Sequence, residues 1–203
     1  MPLISIPPVA PSPPRDRLPA GYRGINHETC GSDILAVVEA LHFPHSILGA
    51  ARMKRLEQVQ RDGWYPIAEL LEVMDVLDRH FGADGLRKLG RTIIRMSHAK
   101  LANDGVMCPR DFLNNVDRMY RLANRGTDIG GWALVSFSAT RVELRKTTVH
   151  HCHMEEGIVM QVMEALRAPC RIEQTRCFRR GDDHCLFVLT PALASQPFEG
   201  PGR

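Results

Sequence analysis

The hydrophobic period of this chain changes once, near Gly130, and that change limits the folds open to it. Upstream, apolar residues recur at helical spacing. In IAELLEVMDVLDRHFG, residues Ile67, Leu70, Leu71, Met74, Leu77 and Phe81 share one helical face, and Gly82 ends the run. Ser32 and Asp33 supply caps for a helix through LAVVEALHF that Pro44 closes. Asp84 opens a further helix through GLRKLGRTIIRM, and CPRDFLNNVDRMYRLANRG makes another, with Pro109 early and Gly126 as its stop. Downstream, GWALVSFSATRVELRKTTV is rich in β-branched and aromatic residues and alternates in places, as half-buried strands do. HMEEGIVMQVMEALRAP returns to the helical period, and CRIEQTRCFRRGDDHCLFVLT reads as two strands about a Gly-Asp-Asp turn. The pattern predicts an α+β fold: N-terminal helices packed on a small antiparallel sheet, with a late helix and a terminal β-hairpin.

Residues 1–24 are proline-rich and read as a flexible lead; 25–192 form the domain, and 193–203 read as a flexible tail. With 44% hydrophobic residues in 203, one substantial core is expected. A formal charge of +3 gives no field that argues for nucleic acid or an anionic membrane, so RMKR (52–55) and RVELRK (141–146) read as solvated faces. The N-terminus lacks the plan of a signal peptide, and no apolar run is long enough to span a bilayer, so a cytoplasmic protein is expected. In a reducing compartment the six cysteines would not form a disulfide framework.

Four of those six, Cys152, Cys170, Cys177 and Cys185, fall in the last third of the chain. A hairpin folded about Gly181 would make Cys177 and Cys185 cross-strand neighbours, at a spacing that suits two thiolates on one metal or two small buried hydrophobes. Tetrahedral zinc needs further ligands. HHCH (150–153) is the obvious donor, with Glu173, Cys170 and His184 also close in sequence; read without a metal, its histidines are a polar loop.

WYP (64–66) before an amphipathic helix, LGRTI (89–93), Cys152-x4-Gly157 at the start of a late helix and Cys177-x3-Gly181-x3-Cys185 in a terminal hairpin together resemble the 4-vinyl reductase domain superfamily. That group is similar in fold to heme nitric-oxide-binding sensor domains and to small subunits of the transport-protein-particle complex. It includes the sensory domains of phenol-responsive activators. The resemblance implies a structural zinc held by Cys152, Cys177 and Cys185. The glutamate that serves as fourth ligand in the phenol sensors is replaced here by Gln174, with Glu173 one place off, so either a substitute such as His153 or His184 completes the site or the metal is absent. It also implies an apolar cavity, for which Trp132, His98 and Tyr65 are the candidate ligand contacts. Heme is disfavoured, because Phe137-Ser-Ala-Thr-Arg141 departs from the Tyr-x-Ser-x-Arg motif of the heme nitric-oxide-binding domains.

These readings predict a non-enzymatic sensory or regulatory module that binds a small apolar ligand, whether aromatic, tetrapyrrole or lipid, as a homodimer with a protein partner for its output. An apolar helical face such as that of residues 67–81 could serve the dimer contact. The alternatives are an assembly scaffold without ligand and a tetrapyrrole vinyl reductase-like enzyme. Against the enzyme, the chain carries neither a dinucleotide fingerprint nor an iron–sulfur cysteine pattern.

Overall fold

The computed structural model describes residues 26–103, 108–127 and 129–198, excepting the side chains of 97–103. The chain opens with strand β1 (His27–Cys30), then helices α1 (Gly31–Glu39), α2 (Pro44–Leu48) and α3 (Ala50–Leu56), strand β2 (Trp64–Pro66) and the long helix α4 (Ile67–Asn103). Helix α5 (Pro109–Ala123) runs into strand β3 (Asn124–Gly126). Strands β4 (Trp132–Phe137) and β5 (Val142–Lys146), helix α6 (Cys152–Ala165), strand β6 (Cys170–Arg176) and strand β7 (Cys185–Pro191) follow. The α+β class is as the period change predicts.

Several local expectations shift. Pro44 does not close the first helix but opens α2, where its missing N–H costs nothing. Gly82 does not end a helix outright: its φ of 62° and ψ of −167° break α4 into two segments within one continuous element. Trp64–Pro66, expected only as the lead into a helix, is a strand that pairs with β1, and β1 also pairs with β3, giving a small antiparallel sheet in the order β2-β1-β3. The predicted sheet is four-stranded and antiparallel, in the order β4-β5-β7-β6.

Two hydrophobic clusters fill the interior. One packs α1, α3 and the first part of α4, with Ile34, Ile67, Leu70, Met74, Leu77 and Leu86 essentially inaccessible. The apolar face of 67–81, offered for a dimer contact, is therefore spent largely within its own chain. The other cluster joins α5 and α6 to the four-stranded sheet through Phe112, Leu113, Leu144, Val159, Met163 and Phe187. Phe198, from the stretch read as a tail, is buried there beside Phe137, and its N–H donates to Ala139 O at 2.9 Å. Among the described residues no helix is long and apolar enough to cross a membrane.

Candidate functional site

A cavity of about 680 Å³ opens at the seam between the two clusters. Its walls are mostly apolar: Val37 from α1, Leu70, Ile93 and Ile94 from α4, Phe112, Val116 and Met119 from α5, and Met154, Ile158 and Val159 from α6. Ser32, Asp33, Glu39 and Arg61 add polar lining, and Arg61 is paired with Glu39. The size and the lining suit a small organic ligand.

A second set of polar and aromatic groups lines it near α5 and the start of α6. Trp132 lines the cavity, with its ring stacked on Phe187 at 5.9 Å. Tyr120, Asn124, His150 and Glu155 line it as well. The rings of His27, Tyr120 and His150 meet edge-on, with centroids 5.6–6.4 Å apart. His27 Nε2–H donates to Asn124 Oδ1 at 3.0 Å. Burial, helped by the charge of Lys146 and by His27, pushes the His150 imidazole down to about 3, so it stands neutral at any physiological pH.

Beneath that wall lies a charged pair. Lys146 is wholly buried; its ammonium touches Glu155 Oε2, donates to His150 O at 2.8 Å and sits 5.7 Å from the Trp132 ring centroid. Thr148 donates to Glu155 Oε1 at 3.0 Å. RVELRK was read as a solvated face, and for Lys146 that is corrected: the strand alternates, so Val142, Leu144 and Lys146 point together into the core. The polar-loop reading of HHCH is corrected too, since His150 and His151 are both buried and His151 Nε2 lies 3.2 Å from Asp78 Oδ2.

The second feature is a thiol cluster. Cys152 at the start of α6, Cys177 after β6 and Cys185 at the start of β7 are all buried, and their sulfurs lie within 4.8 Å of one another. Cys152 Sγ is 3.4 Å from Cys185 Sγ and 3.9 Å from Cys177 Sγ. The ribbon differs from a symmetric hairpin. Its register shifts between Gln174 and Arg176, and a 3-10 turn over Phe178–Arg180 carries the chain to Gly181 at φ 114°. Cys177 is thus not a ladder partner of Cys185. The turn aims backbone donors inward: Phe178 N–H points at Cys185 Sγ at 3.3 Å. Hydrogen bonds from Cys177 and Cys185 hold the Cys152 thiol far below its usual range, which drives the other two upward.

The remaining candidates fall elsewhere. His153 Nδ1 lies 3.3 Å from Glu156 and 3.4 Å from Arg87, and His184 Nδ1 lies 2.7 Å from Asp183; neither is in the cluster. Glu173 is exposed, whereas Gln174 is turned toward Cys152 and helps favour its thiolate. Tyr65 does not line the cavity; its hydroxyl accepts from Gln60 N–H at 2.8 Å. The side chain of His98 lies outside the described residues.

No family model matches the sequence, and no curated protein does. Solved structures match in fold. An H-NOX protein from S. oneidensis in the Fe(II)NO ligation state aligns with a TM-score of 0.64 at 13% identity, covering 81% of this chain and 99% of that one. A Cs H-NOX mutant aligns at 0.61 and 10% identity over 84% and 100%. Unliganded Fe(II) H-NOX from K. algicida aligns at 0.57 and 11% identity over 78% and 96%. The chain thus shares the fold of the H-NOX, or heme nitric-oxide-binding, domains. This overturns the setting aside of heme on the Phe137–Arg141 stretch: the same fold carries Fe(II) in those proteins. Here Arg141 instead pairs with Glu143 on the β4–β5 turn.

Proposed function

We propose that this chain is a non-enzymatic sensory or regulatory domain that takes a small apolar ligand into the seam cavity. The observation that carries the reading is the cavity itself: about 680 Å³, walled mostly by apolar side chains of α4, α5 and α6, with a small number of polar groups among them. Helices from both hydrophobic clusters line it, so a bound ligand would bias how α6 and the sheet pack against the helical body. The fold of the H-NOX neighbours supports a ligand-holding role, and the convergence of Cys152, Cys177 and Cys185 supports the kinship with the 4-vinyl reductase group.

Heme is the second reading, favoured by one observation: His150 is a buried, uncharged imidazole on the cavity wall, the donor a ferrous iron accepts. A bound heme would supply iron with a position open to a diatomic gas. The chain's own part would be His150 toward the metal, apolar walls that exclude water, and Arg61 at the Ser32–Glu39 edge for a carboxylate.

The thiol cluster would hold a thiophilic ion such as zinc through three sulfurs. Since Gln174 replaces the carboxylate, the fourth position is left to a non-protein ligand. Its role is structural, fastening β6 and β7 to α6. Output would pass through a homodimer or another protein.

The test is a thermal-shift panel of aromatics, fatty acids and hemin on the full chain, with native mass spectrometry of the protein as purified. A ligand present at a hundred times its Kd should add about 2.7 kcal/mol of stability. No shift with any compound, and no retained mass, would leave the cavity as packing and favour the scaffold instead.

A further inference from the structure

We propose that Cys152, Cys177 and Cys185 form a three-sulfur site for a trivalent, three-coordinate metalloid, with arsenite as its entering form, in preference to zinc. The inference rests on the thiophilic-ion reading above and deepens it; it does not depend on what the cavity holds.

The donor set carries it. The three sulfurs lie within 4.8 Å of one another, with Cys152 Sγ 3.4 Å from Cys185 Sγ and 3.9 Å from Cys177 Sγ, so one ion can touch all of them. No histidine nitrogen or carboxylate oxygen joins them among the described residues. His153 lies against Glu156 and Arg87, His184 lies against Asp183, and the polar side chain turned toward Cys152 is the amide of Gln174. Structural zinc takes four ligands, drawn from cysteine, histidine and carboxylate side chains. The protein's donors are one short for zinc and complete for an ion that makes three bonds.

Burial and charge point the same way. Cys152, Cys177 and Cys185 are 3%, 5% and 0% exposed, so a fourth ligand drawn from solvent would have to be held in a nearly dry place. Zinc on three thiolates keeps one negative charge, and burying net charge is costly. The charge of Lys146 reaches Cys152 and Cys185 but is already matched by Glu155. A trivalent ion on three thiolates is neutral, and thiolates favour soft ions. The loading step balances: when arsenite, As(OH)3, meets three S–H groups, three As–O and three S–H bonds break, three As–S bonds form and three waters leave, with no change of oxidation state. Those bonds would join the first residue of α6 to both ends of the connection between β6 and β7. Helix α6 also walls the cavity through Met154, Ile158 and Val159, so the metalloid would be a second input to the same helix.

The experiment is native mass spectrometry of the reduced, metal-free full chain titrated with sodium arsenite, alone and against equimolar zinc chloride. The mass counts the bonds: three sulfurs give a gain of one arsenic less three hydrogens, whereas two sulfurs leave a hydroxyl on the arsenic. The expected adduct has the three-sulfur mass and outweighs the zinc adduct at least tenfold in competition. Cys152→Ser, Cys177→Ser and Cys185→Ser should each convert it to the hydroxyl-bearing mass and weaken arsenite binding at least tenfold, while Cys170→Ser should change neither. A hydroxyl-bearing adduct on the unmodified chain, or a preference over zinc below tenfold, overturns the proposal while the thiophilic-ion reading stands, and these arms need no variant to fold. Undiminished arsenite affinity in Cys152→Ser overturns it as well. If neither arsenite nor zinc binds, the thiophilic-ion reading fails together with it.

Discussion

Helices α4 and α6 cross where two glycines face each other's backbone, and replacing either one tests how tightly the cavity wall is built. A Cβ on Gly157 would lie 2.8 Å from the Arg87 carbonyl carbon and 2.9 Å from its Cα, and closer still to its oxygen. A Cβ on Gly90 would lie 3.0 Å from Ile158 N and closer to Met154 O. Ordinary contact begins at 3.4 Å, and the clashing atoms are backbone, so no side chain can swing aside. The helices must part by about an ångström or more, and a gap of that size forfeits about half of the dispersion well for the atoms it separates. Overpacking of this kind costs about 1–3 kcal/mol, and the two rigid backbones place it at the upper end. Alanine returns about 1 kcal/mol of helix propensity over glycine. Gly90→Ala and Gly157→Ala should each lose about 2 kcal/mol in urea unfolding followed by far-ultraviolet circular dichroism, with Tm falling by about 4–8 °C. Because one separation relieves both clashes, the double variant should cost less than the sum, by at least about 0.5 kcal/mol. A neutral or stabilising single substitution, or strict additivity of the pair, would refute the argument.

Three other outcomes follow from the buried polar groups. Lys146→Met or Glu155→Leu alone should destabilise by about 3–5 kcal/mol, since each strands a buried charge, while the double variant should recover most of the loss in the same unfolding assay. His150 titrates near 3 when folded against an ordinary 6.5, so the unfolded chain binds the extra proton between those values. Its contribution is intact above about pH 6.5 and is lost at about 1.4 kcal/mol per unit as pH falls toward 3; the unfolding free energy of His150→Phe should be flatter with pH over that window. Cys152→Ser should reduce bound zinc or cadmium in elemental analysis and weaken the thiolate–cadmium absorbance in the ultraviolet, and unchanged stoichiometry would remove the metal reading.

The period change near Gly130 made the class legible, and the α4, α6 and β5 patterns placed the main elements, because burial of one face imposes a spacing that survives in sequence. The thiol trio was legible in pairs: Cys177 and Cys185 through their symmetry about Gly181, and Cys152 through resemblance. The register was not. A 3-10 turn inside the ribbon depends on Asp182 Oδ2 accepting from Cys177 N–H at 2.7 Å, a contact that no periodicity encodes. The strand at Trp64–Pro66 was hidden because three residues carry no period, and its pairing to β1 is long-range. Lys146 was hidden by its charge, although its alternation with Val142 and Leu144 pointed inward. His150 and Tyr120 could not have been joined to Trp132 from sequence, since they come from three elements that meet only in the fold.

Lys146 stands opposite Trp132 on one neighbouring strand and opposite Cys185 on the other. A single ammonium therefore neighbours both the cavity wall and the sulfur trio. A change at that position would be felt on both neighbouring strands at once, so the cavity wall and the thiols answer to one charge.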